Sequence, residues 1–123
     1  MKILVADDSL TVRSLVAARL RADGHEVLEA ADGREALTLA REQRPGLYVL
    51  DKIMPKLDGF EVVRALREDA ETRDAPIIML TERGGEADVL GGLELGVDEY
   101  MPKPFSPHEL SARVRRALAR ARS

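Results

Sequence analysis

The chain has no cysteine and no tryptophan, and only two tyrosines and two phenylalanines among 123 residues. Without cysteine there is no disulfide scaffold, no thiolate metal site and no cysteine nucleophile. Long apolar runs are also missing. The longest, such as Ile77 to Leu80, is far too short to span a bilayer. Neither sign of charge dominates: 19 basic residues against 22 acidic give a net charge of −3. That balance supplies no global pull toward nucleic acid. The N-terminus reaches the acidic pair Asp7-Asp8 almost at once, unlike a signal peptide, so a cytoplasmic protein is expected.

What remains is an ordinary globular composition, 45% hydrophobic and 33% charged. A chain of this size buries roughly two-thirds of its unfolded surface, which suffices for one core and not two. No linker, repeat or low-complexity stretch interrupts it. One domain over 1–123 is expected.

The apolar pattern changes period along the chain. Ile3-Leu4-Val5-Ala6 is a short continuous run, as in a strand covered on both faces. Ser9 then caps a helix with Val12, Leu15, Val16 and Leu20 facing inward, and Gly24 stops it. Val27-Leu28 marks a second strand. Asp32 to Glu35 reads as a capping box for a helix through Ala36, Leu37 and Ala40, broken at Pro45-Gly46. Leu47 to Leu50 is a third strand. Asp58 to Glu61 is another capping box, followed by the stripe Phe60, Val63 and Leu66. Ile77 to Leu80 is the fourth strand. A glycine-rich helix is expected over 86–95, ended by Gly96, and it should be the least stable because each interior glycine costs about 1 kcal/mol relative to alanine. Val97 to Met101 is the fifth strand. Ser106-Pro107-His108-Glu109 opens the final helix, with Leu110, Val114, Ala117 and Leu118 inward. That helix also carries Arg113, Arg115, Arg116, Arg120 and Arg122 against Glu109 alone, read as a solvated face with cations at its C-terminal dipole. His25 and His108 are expected at the surface.

Five alternations of strand and helix imply an α/β fold, a doubly wound parallel sheet with helices on both faces. The strand order 2-1-3-4-5 is expected, flavodoxin-like. Ligands of such sheets sit beyond the carboxyl ends of the strands. There the sequence supplies Asp7-Asp8 after strand one, Asp51 after strand three, Thr81 after strand four and Lys103 after strand five. Each has an ordinary reading alone: a loop acid, a turn cap, a β-branched strand end, a solvated lysine. Together they make a site. Three carboxylates withdrawn from water take up protons or a cation. An all-oxygen donor set suits a hard ion, so Mg2+ is expected. Lys103 and Thr81 would then meet phosphoryl oxygens, and one carboxylate would serve as nucleophile, giving an acyl phosphate.

The motifs in this order resemble the response-regulator receiver domain, the CheY-like phosphoacceptor of two-component signalling. They are Ile3-Leu4-Val5-Ala6-Asp7-Asp8-Ser9, Leu50-Asp51 with Met54-Pro55 and Asp58-Gly59, Leu80-Thr81, Gly96-Val97-Asp98-Glu99-Tyr100 and Lys103-Pro104-Phe105. The resemblance covers essentially the whole chain. It implies that Asp51 accepts a phosphoryl group from a sensor histidine kinase or a histidine phosphotransfer protein. It implies that Asp8 and Asp51 bind Mg2+ directly, Asp7 mainly through water, and that the Ile53 carbonyl adds a ligand. Lys103 would pair with the phosphoryl group, Thr81 would move to meet it, and Tyr100 would change rotamer. A cis peptide before Pro104 is expected. The chain would be no enzyme beyond its own phosphorylation and slow dephosphorylation. Its output surface would be the helix after strand four, strand five and the final helix, acting on an effector the sequence does not identify and leaving room for a homodimer. Direct nucleic-acid and membrane binding are not expected of this domain.

Two residues depart from the family pattern: Lys52 after Asp51, usually apolar, and Glu82 after Thr81, usually small. A pair between them at the site rim is one expectation, a solvated Lys52 the other. Glu82 is also expected to narrow access to the phosphoryl group. These departures keep an alternative in play, a degenerate receiver that binds partners without phosphorylation. A phosphatase of the haloacid dehalogenase type needs a second acid two residues beyond the first, where Leu10 follows Asp8. A flavodoxin needs a hydroxyl- and glycine-rich phosphate loop where Asp7-Asp8 would repel bare phosphate, and no P-loop lysine motif exists.

Overall fold

Buried backbone needs hydrogen-bond partners, and the continuous apolar runs find theirs in one parallel sheet. In the computed structural model, which describes residues 1–81 and 96–121, these runs become β1 (Lys2–Ala6), β2 (Glu26–Ala30), β3 (Leu47–Asp51), β4 (Ile77–Thr81) and β5 (Glu99–Pro102). The order is β2-β1-β3-β4-β5, with all four neighbouring pairs parallel, as expected. The described helices are α1 (Leu10–Ala22), α2 (Gly33–Gln43), α3 (Gly59–Glu68) and α4 (Pro107–Ala121). The helix expected over 86–95, Glu82 with its proposed partner contact, and Arg122 lie outside the described residues.

The strand period of two divides the core into layers. Ile3, Val5, Val49, Ile78 and Leu80 face α1 and α4, meeting Val16, Ala17, Leu20, Leu110 and Val114. Leu4, Ala6, Leu50 and Met79 face α2 and α3, meeting Ala36, Ala40, Val62, Val63 and Leu66. Each fully buried Val, Leu or Ile contributes about 1.5–3 kcal/mol.

The caps form with local variations. Ser9 Oγ accepts from the Val12 N–H at 3.3 Å. The box at Asp58 is complete, with Glu61 N–H donating to Asp58 at 2.9 Å and the Glu61 carboxylate accepting from Asp58 N–H at 3.2 Å. At Asp32 only half forms: Glu35 N–H donates to Asp32, but the Glu35 carboxylate reaches Ala31 N–H instead. At Ser106 the hydroxyl accepts from Glu109 N–H, while Arg113 takes the Glu109 carboxylate. Helix α2 stops at Arg44, which adopts φ +46 before Pro45, a position from which proline excludes the helical conformation.

Three expectations need correction. Leu15 is 68% exposed rather than inward. The buried stripe of α1 is Val16, Ala17 and Leu20, and Leu15 lies about 100° around the helix from Val16. Strand β5 begins at Glu99, not Val97, because the Asp98 carboxylate takes the Ile77 N–H at 2.7 Å in place of a ladder bond. The arginines of α4 are not simply a solvated face. Arg113, Arg116 and Arg120 converge on Glu99, a buried carboxylate of β5. Spacings of three and four along a helix put all three on one side.

Candidate metal and phosphoryl site

A parallel sheet brings every strand's carboxyl end to one edge, so residues far apart in sequence meet there. Asp7 and Asp8 follow β1, Asp51 and Thr81 end β3 and β4, and Lys103 follows β5. One carboxylate oxygen from each of Asp7, Asp8 and Asp51 lies within 4.8 Å of the others. Lys103 Nζ stands 3.3 Å from Asp7 Oδ2 and 3.3 Å from Asp51 Oδ1. Asp7 and Asp51 are buried, while Asp8 is exposed. The edge is held by backbone contacts. Lys103 N–H donates to the Thr81 carbonyl at 2.8 Å, and Lys52 N–H to the Leu80 carbonyl at 3.1 Å. Gly59 sits so close to the end of β3 that a Cβ there would meet the Asp51 carbonyl oxygen at 2.6 Å, so only glycine lets α3 start against the site.

The electrostatics are those of a pocket short of positive charge. Burial, with Asp7 and more weakly Asp8 beside it, pushes the Asp51 carboxyl up to about 6, although Lys103 pulls the other way. Burial alone would lower Lys103, but Asp51 and Asp7 outweigh it and hold the ammonium above its usual range. One lysine cannot neutralise three acids. The donor set, all oxygen with one acid open to solvent, fits a hard divalent cation that keeps several waters.

The remaining predicted residues are placed less tightly. Thr81 is buried at the edge. Ile53 follows in the loop with an exposed side chain. Tyr100 is half-buried on β5 against the α2–α3 side of the core, and its carbonyl accepts from Arg113 at 2.6 Å. The Lys103–Pro104 peptide is cis. His108 is exposed as expected. His25 is only half-buried, yet its Nδ1 is shut from solvent and has no hydrogen-bond partner among the described residues.

Two features escaped the sequence reading. Arg13 reaches from α1 to the Asp7 carbonyl at 2.9 Å. Its signal was a cation one turn beyond the Ser9 cap, opposite Glu29, the second of two acids in β2. The second is a cavity of about 570 Å³ between α1 and the start of α4, lined by Val12, Leu15, Phe105, Pro107 and Leu110 and reaching Lys103. It depends on two helices distant in sequence.

A family model for the response regulator receiver domain matches residues 3–115. The chain belongs to the response regulator receiver family. The receiver is 53% identical over 119 residues to the probable transcriptional regulator ycf27 of Cyanophora paradoxa, covering 97% of this chain and 48% of that protein. It is 48% identical over 120 residues to the alkaline phosphatase synthesis transcriptional regulatory protein PhoP of Bacillus subtilis, covering 98% and 49% respectively. The chain thus spans about half the length of these curated relatives. Among solved structures, chemotaxis protein CheY4 of Vibrio cholerae is similar with a TM-score of 0.90 at 37% identity, covering 94% of this chain and 97% of that one. A response regulator receiver domain protein from Clostridium thermocellum also gives a TM-score of 0.90, at 31% identity, covering 98% and 96%. The receiver is not a conventional enzyme. Among its described residues, no helix is long and apolar enough to cross a membrane.

Proposed function

We propose that residues 1–123 form one phosphoacceptor receiver domain in which Asp51 takes a phosphoryl group from a phosphohistidine. An Asp51 oxygen attacks phosphorus, the P–N bond breaks, and the imidazole leaves with its electron pair, giving an acyl phosphate. Asp8 and Asp51 would hold Mg2+ directly, Asp7 through water, with the Ile53 carbonyl as a further ligand. Bound there, Mg2+ would neutralise charge on the transferring phosphoryl oxygens. Lys103, already 3.3 Å from Asp51, would pair with the phosphoryl group once Asp51 carries it. Thr81 would offer its hydroxyl to a phosphoryl oxygen and Tyr100 would follow, turning a surface to which β5 and α4 contribute.

The observation that carries this reading is the convergence of three acids from two strand ends, with a lysine from a third bridging two of them. A donor histidine must approach Asp51, so its protein must cover the rim. Leu10, Leu15 and Ile53 are exposed apolar side chains on the elements that carry the pocket, and they suit a kinase or phosphotransfer partner. The relatives' names point to transcription as the output; no nucleic-acid contact is assigned to this domain, and a cytoplasmic place of action is part of the proposal.

Intact mass after incubation with a small acyl phosphate and Mg2+ tests the reading. One added phosphoryl group is expected, and none in Asp51→Asn or with a chelator present. Uptake that survives Asp51→Asn would overturn the assignment of Asp51. No uptake at all would favour the phosphorylation-independent binding module, and steady release of phosphate from many esters would favour a phosphatase.

A further inference from the structure

Arg13 lies in the first turns of α1 with a side chain only 15% exposed. Its Nη1 donates to the Asp7 carbonyl oxygen at 2.9 Å, and its Nε donates to Glu29 Oε1 at 3.2 Å across on β2. Every polar atom of Asp7 then has a partner. Its N–H donates to the Ala30 carbonyl, Oδ1 accepts from Ser9 N–H at 2.9 Å, Oδ2 accepts from Lys103, and the carbonyl accepts from Arg13. The carbonyl in question belongs to the peptide that joins Asp7 to Asp8. Asp8 is the solvent-facing acid of the cluster, and the plane of that peptide sets the direction in which its side chain leaves the backbone.

We propose that Arg13, oriented by Glu29, is a positioning residue for the cation site, fixing the Asp7–Asp8 peptide so that the Asp8 carboxylate meets those of Asp7 and Asp51. The inference rests on the reading of this pocket as a divalent-cation site. It deepens that reading by naming a residue that acts through another rather than touching the ion. Groups that orient ligands in this way change metal affinity without supplying a donor atom.

Charge and position make opposite demands, which allows a decision. Arg13 places a positive charge beside a site meant for a cation. By Coulomb's law alone its removal tightens Mg2+ binding. If it holds the loop, its removal weakens binding, because the buried Asp7 carbonyl loses its donor and the peptide is free to turn. Arg21 supplies the charge control. It pairs with the other oxygen of Glu29 at 3.2 Å and donates to the Val27 carbonyl, so its hydrogen bonds among the described residues go to β2 and not to the 7–9 loop.

The experiment is calorimetric titration of this chain with MgCl2, together with its thermal midpoint in the absence of Mg2+ and the amide chemical shift of Asp8. Arg13→Met should raise the Mg2+ dissociation constant about tenfold, the lower end for an outer-shell partner, and move the Asp8 amide. Arg21→Met should bind Mg2+ as tightly as wild type or slightly more tightly. Arg13→Lys keeps the charge but loses the planar fork that spans both acceptors, so it should recover only part of the affinity. Glu29→Gln should weaken binding less than Arg13→Met, since an amide oxygen still accepts from Nε. If Arg13→Met does not fold, Arg13→Lys and Glu29→Gln decide: weakened binding at an unchanged thermal midpoint supports the proposal, and wild-type binding in both overturns it. Binding by folded Arg13→Met at or above wild-type strength also overturns it and leaves the cation site standing. Failure of wild type to bind Mg2+ removes the site and the inference together.

Discussion

Asp51 and Glu99 are both buried carboxylates of one sheet, Asp51 at the carboxyl end of β3 and Glu99 at the amino end of β5. Asp51 meets two further acids and one ammonium, and its carboxyl is pushed up to about 6. Burial acts on Glu99 in the same direction, yet hydrogen bonds and charge from Arg116 and Arg120 overcome it and hold the carboxyl below its usual range. Burial therefore does not decide the outcome; the neighbours do. One edge of the sheet is left with surplus negative charge that a cation or a proton can relieve. The other is over-neutralised and calls for no ligand. The first arrangement suits a site whose charge changes during work, the second a fastening between α4 and β5.

The largest expected effect comes from removing the strained acid. The folded state holds a proton on Asp51 more tightly than the unfolded chain, whose aspartates titrate near 3.9. Asp51's contribution to the stability of the Mg2+-free protein should therefore rise as pH falls from about 6 to about 4 and level off below, read as the difference between wild type and Asp51→Asn. Asp51→Asn should remove that slope and be more stable at pH 7 by on the order of 2 kcal/mol, read from urea midpoints. Mg2+ should reverse the ranking. At a hundred times its dissociation constant it stabilises wild type by about 2.7 kcal/mol, and far less should be seen for Asp51→Asn. Equal stability of the two proteins at pH 7 without Mg2+ would show that the acids of the pocket do not strain one another.

At the other edge the sign is opposite. Glu99→Gln should destabilise the receiver at pH 7 by about 1–2 kcal/mol, less than the 3–5 of a fully buried pair, because solvent screens two of the three arginines. The stability Glu99 provides is present above the ordinary glutamate value near 4.3 and fades as pH falls through its lowered folded value. The gap between wild type and Glu99→Gln should thus be widest at neutral pH and close in acid, measured by urea unfolding at three pH values. A gap that widens on acidification would contradict the neighbours assigned to Glu99.

The same contrast explains what could be read without coordinates. The strand positions and the acidic edge were legible because they follow from local signals, whereas the order 2-1-3-4-5 was taken from the flavodoxin-like fold that five such alternations suggest. Continuous apolar runs such as Ile77 to Leu80 mark buried parallel strands, and a parallel sheet carries their ends to one side. Asp7, Asp8, Asp51 and Lys103 needed only that rule. The ring on Glu99 was not legible, since it depends on which face of α4 packs toward β5. Sequence spacing puts Arg113, Arg116 and Arg120 together but does not say whether they face water or a buried acid. Leu15 failed for a related reason. Its spacing from Val12 fits an inward stripe, yet the sheet covers only the arc that holds Val16, Ala17 and Leu20. Arg13's tie to the site was hidden because it runs through the Asp7 backbone carbonyl, which leaves no trace in residue types; only its pairing with Glu29 could have been sought there.

The smallest effects should come from the arginines one at a time, and their ranking tests whether the ring acts as a set. Arg113 is the most enclosed and has three partners, Glu99, Glu109 and the Tyr100 carbonyl. Arg113→Met should cost about 1 kcal/mol, mostly from the carbonyl left without a donor. Arg116 and Arg120 are 58% and 53% exposed, so either replaced by Met should shift the urea midpoint less than Arg113→Met does while two guanidinium groups remain. Replacing both together should cost more than the sum, because Glu99 then depends on Arg113 alone and its charge is no longer outweighed. Strict additivity in that double-mutant cycle would mean that Arg116 and Arg120 act as separate surface pairs rather than as a set around Glu99.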